Sequence, residues 1–398
     1  MTSRTQTTFA PPVMEARRWL EGVTFPEGRP LLNVSQAAPV DPPPAPLRAA
    51  MADALERPET HLYGPVLGLP GLRAGLARNW SEHYGGTVRP DQVAITAGCN
   101  QAFAAAIAAI AGEGDEVILP VPWYFNHKMW LDMSGLRALP LKTGDDLVPT
   151  VEDAEALITP RTRAIALVSP NNPGGVEYPA ETIAAFFELA KSRGIKLILD
   201  ETYRDFDSRD GAPHDLITRD DWDDTLIALY SFSKAYRLTG HRTGAVLTSQ
   251  SLLAEIEKFL DTVAICAPQL GQHAALWGLE NLSQWLAGER AEILDRRAAI
   301  LDNLPVIEAK GWRLMGCGAY FAYFEHPFAE SSADLAPRLV RDAGVLLLPG
   351  TMFMPEDAPE GARQVRVAFA NVDRAGIAEL FRRLAAVEGP LAGRATPI

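Results

Sequence analysis

Short runs of apolar residues alternate along this chain with stretches whose apolar residues recur at helical spacing, and this alternation restricts the fold more than any other feature. Residues 116–119, 163–169, 195–199 and 225–230 read as strands. Residues 179–193 read as a helix, and another follows Pro70, with Leu72, Leu76 and Trp80 on one face before Gly85-Gly86 ends it. An Ala-rich helix after Gly98 leads through a Gly turn into the first of the strands. Short, uniformly apolar strands separated by amphipathic helices predict a largely parallel sheet covered on both faces. In such sheets, polar residues just past the carboxyl ends of the strands line the usual ligand crevice. Asn172, Asp200 and Ser231 fall there.

The rest of the chain has a different rhythm. Pro42-Pro43-Pro44 cannot sit inside regular helix or sheet, so the N-terminal residues read as an arm. A long helical stretch over about 271–303 carries the chain out of the first unit. Beyond it, strand-like runs at 319–324, 345–348 and 365–369 mix with helical patterns at 335–342 and 374–385. The expected architecture is α/β: a three-layer large domain with a mostly parallel sheet, plus a smaller α+β domain. Residues 1–45 would form the arm and part of the small domain, 46–290 the large domain and 291–398 the C-terminal small domain.

With 37 basic against 50 acidic residues the chain carries a net charge of −13, which argues against nucleic acid or an anionic membrane as a bulk partner. Residues 102–111 are apolar but stop well short of a membrane span. Cys99, Cys266 and Cys317 are too widely spaced for a disulfide framework or a CxxC metal knuckle, and no signal peptide is evident. A reduced, cytoplasmic protein is the expectation, with no metal site.

Lys234 is one of only seven lysines and lies between hydroxyls in Ser231-Phe232-Ser233-Lys234, with Arg242 beyond. It reads either as an amine nucleophile or as a solvated surface residue. Asp200 ends a buried strand, and a carboxylate there needs a partner. That partner is either the pyridine nitrogen of pyridoxal phosphate, whose protonated ring draws electrons from a substrate α-carbon, or a structural cation or helix end. Tyr203 and Asn172 can donate hydrogen bonds to the cofactor's phenolate oxygen, although an Asn before Pro is also ordinary turn chemistry. Gly98 and Cys99 stand where a loop enters a helix, so their N–H groups can meet a phosphate. Ser231, Ser233 and Arg242 can add side-chain donors there.

Several runs follow one another in order: Tyr63-Gly64-Pro65, Thr96-Ala97-Gly98-Cys99-Asn100-Gln101, Pro122-Trp123-Tyr124 and Ser169-Pro170-Asn171-Asn172-Pro173-Gly174. Asp200-Glu201-Thr202-Tyr203, Ser231-Phe232-Ser233-Lys234 with Arg242, and Arg366-Val367-Ala368-Phe369-Ala370-Asn371 complete the series. In these runs the chain resembles the class I/II aminotransferases, pyridoxal-phosphate-dependent enzymes of fold type I. The resemblance implies that Lys234 forms the imine with the cofactor and shuttles the proton. It implies that Asp200 pairs with the ring nitrogen, that Tyr203 and Asn172 contact the phenolate oxygen, and that Tyr124 stacks on the ring, with His127 behind Asp200. Arg366 would take the substrate α-carboxylate, with Asn172 and Ala38 beside it. Tyr63 would reach the phosphate of a neighbouring subunit in a homodimer. Two positions depart from the family pattern: Ala37 or Ala38 stands where Gly is frequent, and Cys99 where Ser, Thr or Ala is common.

The implied reaction exchanges the α-amino group between an L-amino acid and a 2-oxo acid. Trp19, Phe25, Trp123 and Tyr124 suggest an aromatic-lined entrance, and no second arginine is placed for an acidic side chain, so a neutral, aromatic or large apolar donor is expected. The same constellation would also serve a lyase, a cyclising synthase or an oxidase acting on an amino acid. A non-enzymatic binding module would require a broken cofactor site, which the sequence does not show.

Overall fold

The computed structural model describes residues 3–392. Seven strands form the large sheet in the order Val93–Thr96, Gly244–Leu247, Leu226–Ser231, Lys196–Asp200, Thr162–Val168, Glu116–Val121, Arg137–Lys142. Only Gly244–Leu247 runs against its neighbours; the other six strands share one direction. Both outermost strands and the reversed strand escape the periodicity argument. Arg137–Lys142 is half exposed and interrupted by Pro140, whereas the other two span four residues each.

Strand alternation divides the core into two layers. Leu197 and Leu199 pack with Trp80, Phe186 and Phe187 on one face, while Ile198 packs with Phe103, Ile256 and Leu260 on the other. Phe186 and Phe187 are fully buried, and truncating such a side chain to alanine costs about 3–5 kcal/mol. The helix after Pro70 runs Pro70–Tyr84, with proline in its first turn and Gly85 at φ 68° closing it. The stretch expected as one helix over 271–303 is two, Gln269–Asn281 and Ser283–Glu308. They break at Leu282, which leaves helical geometry at φ −114°, ψ 19°.

A four-stranded antiparallel sheet follows, in the order Leu348–Pro349, Gln364–Ala368, Phe321–Glu325, Arg313–Gly318. Helices Ser332–Ala343 and Arg374–Ala385 supply Leu335, Leu339 and Phe381 to its core. Leu32–Asn33 pairs in parallel with Val345–Leu346, which ties the N-terminal segment to this part of the chain.

The two sheets meet backbone to backbone through glycines. A Cβ on Gly318 would lie 2.2 Å from the Gly175 carbonyl oxygen, and one on Gly175 would lie 2.4 Å from that of Phe321. Gly175 also sits at φ 74°, a conformation disfavoured for residues with a Cβ. The loop carrying Asn171 and Asn172 is thereby pressed against the strands that carry Phe321 and, one strand further, Arg366. Gly175→Ala is expected to destabilise the protein by about 1–3 kcal/mol, read as a lower denaturant midpoint, whereas Gly194→Ala, at a similar φ but in open space, should lose less.

Candidate active site

Because six strands share a direction, their carboxyl ends open on one edge of the large sheet. A cavity of about 280 Å³ lies there. Lys234, Asp200, Tyr203, Asn172, Tyr124 and Cys99 line it, as do Ser231, Ser233, Arg242 and Ala38. Side chains from separate strand ends thus converge on one space.

Asp200 is 3% exposed. Its Oδ2 lies 3.2 Å from His127 Nε2, and its Oδ1 accepts the Thr202 N–H at 3.0 Å. The His127 ring is held by stacking on Phe103, with centroids 3.8 Å apart. Burial by itself would raise the Asp200 carboxyl, but the hydrogen bond and charge of His127, with the Thr202 hydroxyl and N–H, outweigh it and hold the group below the ordinary carboxylate value. The Cys99 thiol also turns toward Asp200, with Sγ 3.6 Å from Oδ1, so any anion at this helix start meets the backbone and not the Cys99 side chain.

Lys234 follows the strand in the single turn Phe232–Ala235, which Ser231 caps by accepting the Ser233 N–H at 3.2 Å. Its Nζ donates to the Ala37 carbonyl oxygen. Burial, and then the charges of Arg242 and Arg366, push the amine down to about 7. Gly98 precedes helix Cys99–Ile110 at φ 87°, and a Cβ there would come 2.1 Å from Arg242 Nη2. Glycine is therefore required for the guanidinium to lie against the helix start, where unpaired N–H groups and the helix dipole favour an anion. Arg242 is fixed in turn by donating from Nη1 to the Thr239 carbonyl oxygen at 2.9 Å.

The two asparagines divide their work. Asn171 serves its own loop, accepting the Gly174 N–H at 2.8 Å and donating to Tyr178 Oη at 3.2 Å. Asn172 faces the cavity and accepts from Arg366 Nη1 at 2.9 Å. Arg366 itself stands one layer behind the cavity wall, 2% exposed, between the rings of Phe321 and Phe353. Its Nη2 donates to the Ser35 carbonyl oxygen, and its Nε has no partner among the described residues. Burial lowers this guanidinium to about 10, against the opposing effect of Tyr203 and Tyr124. Tyr124 donates to Asn100 Oδ1 at 3.3 Å and accepts from Asn126 Nδ2 at 2.9 Å. Burial, then the Asp200 charge, raises its phenol to about 12. Tyr203 packs against Phe321, and burial, followed by Tyr124, holds its hydroxyl well above the ordinary value.

Tyr63 lies outside this cavity and is 79% exposed. The aromatic entrance does not form as expected. Of its four residues only Tyr124 lines the cavity; Trp123 is 5% exposed in the core layer beside Phe103, and Trp19 and Phe25 pack around Leu346 and Val340. Gln36, Asn100, Asn126, Thr202 and Thr239 also line the cavity. Asn100 and Thr202 stand inside recognised runs, whereas Asn126 and Thr239 have no local signal.

The family model for aminotransferase class I and II matches residues 29–384, and the chain belongs to that family. It is 31% identical over 375 residues to arginine–pyruvate transaminase AruH of Pseudomonas aeruginosa, covering 93% of each chain. It is 32% identical over 361 residues to valine–pyruvate aminotransferase of Mycobacterium tuberculosis, covering 89% of this chain and 90% of the relative. The crystal structure of an aminotransferase from Mycobacterium tuberculosis superposes with a TM-score of 0.84 at 29% identity, covering 97% and 98% of the two chains. The fold is type I, and the protein is a pyridoxal-phosphate-dependent aminotransferase that transfers amino groups between an amino acid and a 2-oxo acid.

The lowered Lys234 value has a thermodynamic sign. Between about 7 and the ordinary lysine value of 10.5 the unfolded chain binds a proton at this position that the folded chain does not, so stability rises with pH across that window. Cofactor-free protein is expected to gain stability over that range in denaturant titrations, and Lys234→Met should remove that component.

Proposed function

We propose that the cavity holds pyridoxal 5'-phosphate and that the enzyme uses it to move the α-amino group of a neutral L-amino acid, aliphatic or aromatic, to a 2-oxo acid such as pyruvate. The observation that carries this reading is Lys234, a half-buried amine whose ordinary value is lowered to about 7 in the same small cavity as an ionised, buried carboxylate.

The donor set fits the cofactor. The Gly98 and Cys99 N–H groups, the Ser231 and Ser233 hydroxyls and Arg242 suit a phosphate. The missing Cβ at Gly98, which leaves room for Arg242, supports this assignment. Asp200 suits the ring nitrogen, Tyr124 the ring face, and Tyr203 and Asn172 the phenolate oxygen. When bound, the cofactor supplies a carbonyl for imine chemistry and a ring that withdraws electrons from the substrate α-carbon.

The protein's own groups do the remainder. Asp200, kept ionised by His127 and Thr202, holds a proton on the ring nitrogen. Lys234 would hold the cofactor through its amine, which is suited to the role because its charged form is disfavoured. Free of the cofactor, the same amine would serve as the base that takes the proton from the substrate Cα. Arg366 lies behind Asn172 with Nη1 and Nη2 donating to Asn172 and the Ser35 carbonyl oxygen, and would take the α-carboxylate by turning its planar fork into the cavity, with Ala38 on the substrate side.

A neutral donor is supported by the lining, in which the cations are Lys234 and Arg242, both assigned above. Valine and pyruvate appear in the name of one relative, and arginine and pyruvate in that of the other, so the relatives support pyruvate as acceptor and leave the donor to the lining. We also propose a homodimer in which Tyr63 reaches the partner's phosphate. Tyr63 is supported in this by Leu62, Val263 and Ile265, all exposed. We further propose that 46–290 is the cofactor-binding unit, with 1–45 and 291–398 as arm and small domain. Among the described residues no helix is long and apolar enough to cross a membrane. The three cysteines are unpaired, which supports a reducing, cytoplasmic setting.

Half-reaction spectroscopy of the loaded enzyme with a panel of amino acids is expected to show fastest conversion by neutral donors and none with Lys234→Ala. Faster conversion by aspartate would overturn the donor assignment, and pyruvate or ammonia released without an acceptor would point to elimination. Sedimentation should give a species of about twice 43.2 kDa, and Tyr63→Phe should weaken cofactor retention roughly tenfold, the scale of one hydrogen bond to a charged group.

A further inference from the structure

Asp200 and Glu201 are consecutive, and alternation at the strand end sends them to opposite sides. Asp200 enters the cavity. Glu201, 1% exposed, enters the opposite core layer, accepts the Tyr84 hydroxyl, and lies 3.4 Å from His214 Nε2. Tyr84 is itself stacked on His214 at 4.6 Å. Three residues on, Arg204 also turns into this layer, 4% exposed. Its guanidinium lies over the rings of Trp80 and Tyr230 at 5.0 and 4.7 Å. It donates from Nη2 to Asn79 Oδ1 at 2.9 Å and to Asp205 Oδ1 at 3.0 Å, while Tyr230 donates to Asp205 Oδ2 at 2.6 Å.

Between these two anchors lie Thr202 and Tyr203, which face the cavity. The turn is closed by Arg204 N–H donating to the Glu201 carbonyl oxygen at 3.0 Å and by Phe206 N–H donating to that of Tyr203 at 2.9 Å. A two-residue cavity segment is thus fastened at both ends by charged groups buried on the far side of the sheet. Glu201 Oε2 and Arg204 Nη1 have no partner among the described residues, and a buried polar group that loses its remaining contacts is costly, so the contacts that are made resist a shift of the turn.

We infer that Glu201 and Arg204 are positioning residues that set the hydrogen bond from Tyr203 to the cofactor. This rests on the proposed role of Tyr203 as donor to the phenolate oxygen. A donor at that oxygen stabilises the deprotonated chromophore, so losing it raises the chromophore pKa.

The test is a pH titration of the visible absorbance of the pyridoxal-phosphate-loaded enzyme. Tyr203→Phe is expected to raise the midpoint by about one pH unit, the scale of one hydrogen bond. Glu201→Gln and Arg204→Lys should raise it in the same direction, and neither should add to the shift when combined with Tyr203→Phe. Tyr84→Phe, which removes a single hydroxyl from Glu201, offers the gentlest form of the same comparison. If Tyr203→Phe shifts the midpoint while the Glu201, Arg204 and Tyr84 variants keep the wild-type value, or if the shifts in the double variants add, the positioning role is overturned. If Tyr203→Phe itself leaves the midpoint unchanged, the donor role of Tyr203 falls, and the inference falls with it.

Discussion

A carboxylate buried at the end of a central strand must be met by donors, and much of this site follows from how Asp200 is met. His127 approaches from the helix that follows Tyr124, and Phe103 braces it from the helix that begins at Cys99. The Thr202 N–H closes the near side. Three separately formed elements therefore have to be in register before the negative charge is tolerable. The same register brings Tyr124, Cys99 and Tyr203 to the cavity wall.

The cationic side of the cavity has the opposite problem. Burial first, and then the charges of Arg242 and Arg366 acting through space, lower the Lys234 amine to about 7. Burial and charge crowding that are unfavourable in an isolated protein suit the role proposed for Lys234, an amine that acts at ordinary pH. An anion at the Gly98 helix start would relieve part of the repulsion.

The sequence made the parallel sheet and most of the cavity wall legible because both depend on local pattern. Residues 195–199 are continuously apolar and end at Asp200; 225–230 lead to Ser231 in the same way. Where the pattern was short or mixed it failed, as at Gly244–Leu247, whose reversed direction is a tertiary fact with no local mark. The break at Leu282 was missed although Asn281 and Ser283, both weak helix formers, flank it, because the helical patterns on either side read as one run. The aromatic entrance failed for another reason: residue type indicates that Trp123 is large and apolar, but not whether it faces the cavity or the core. Asn126 and Thr239 reach the cavity only through packing, so nothing in their neighbourhoods announces them. Arg366 was visible as a candidate, yet its place behind Asn172 depends on two sheets meeting.

That meeting has a mechanical consequence. Gly175 and Gly318 meet main chain to main chain, and Gly316 meets the Gly174 carbonyl oxygen with Leu147 and Val176 alongside, so little deformable side chain cushions the contact. Arg366 then hydrogen-bonds across the same seam to Asn172. A displacement of the four-stranded sheet would drag the Asn171–Gly175 loop along with it, so Arg366 and Asn172, the residues proposed for the substrate's carboxylate and the cofactor, travel as one gear train. Ligand occupancy at either could be felt at the other without any change in the large sheet.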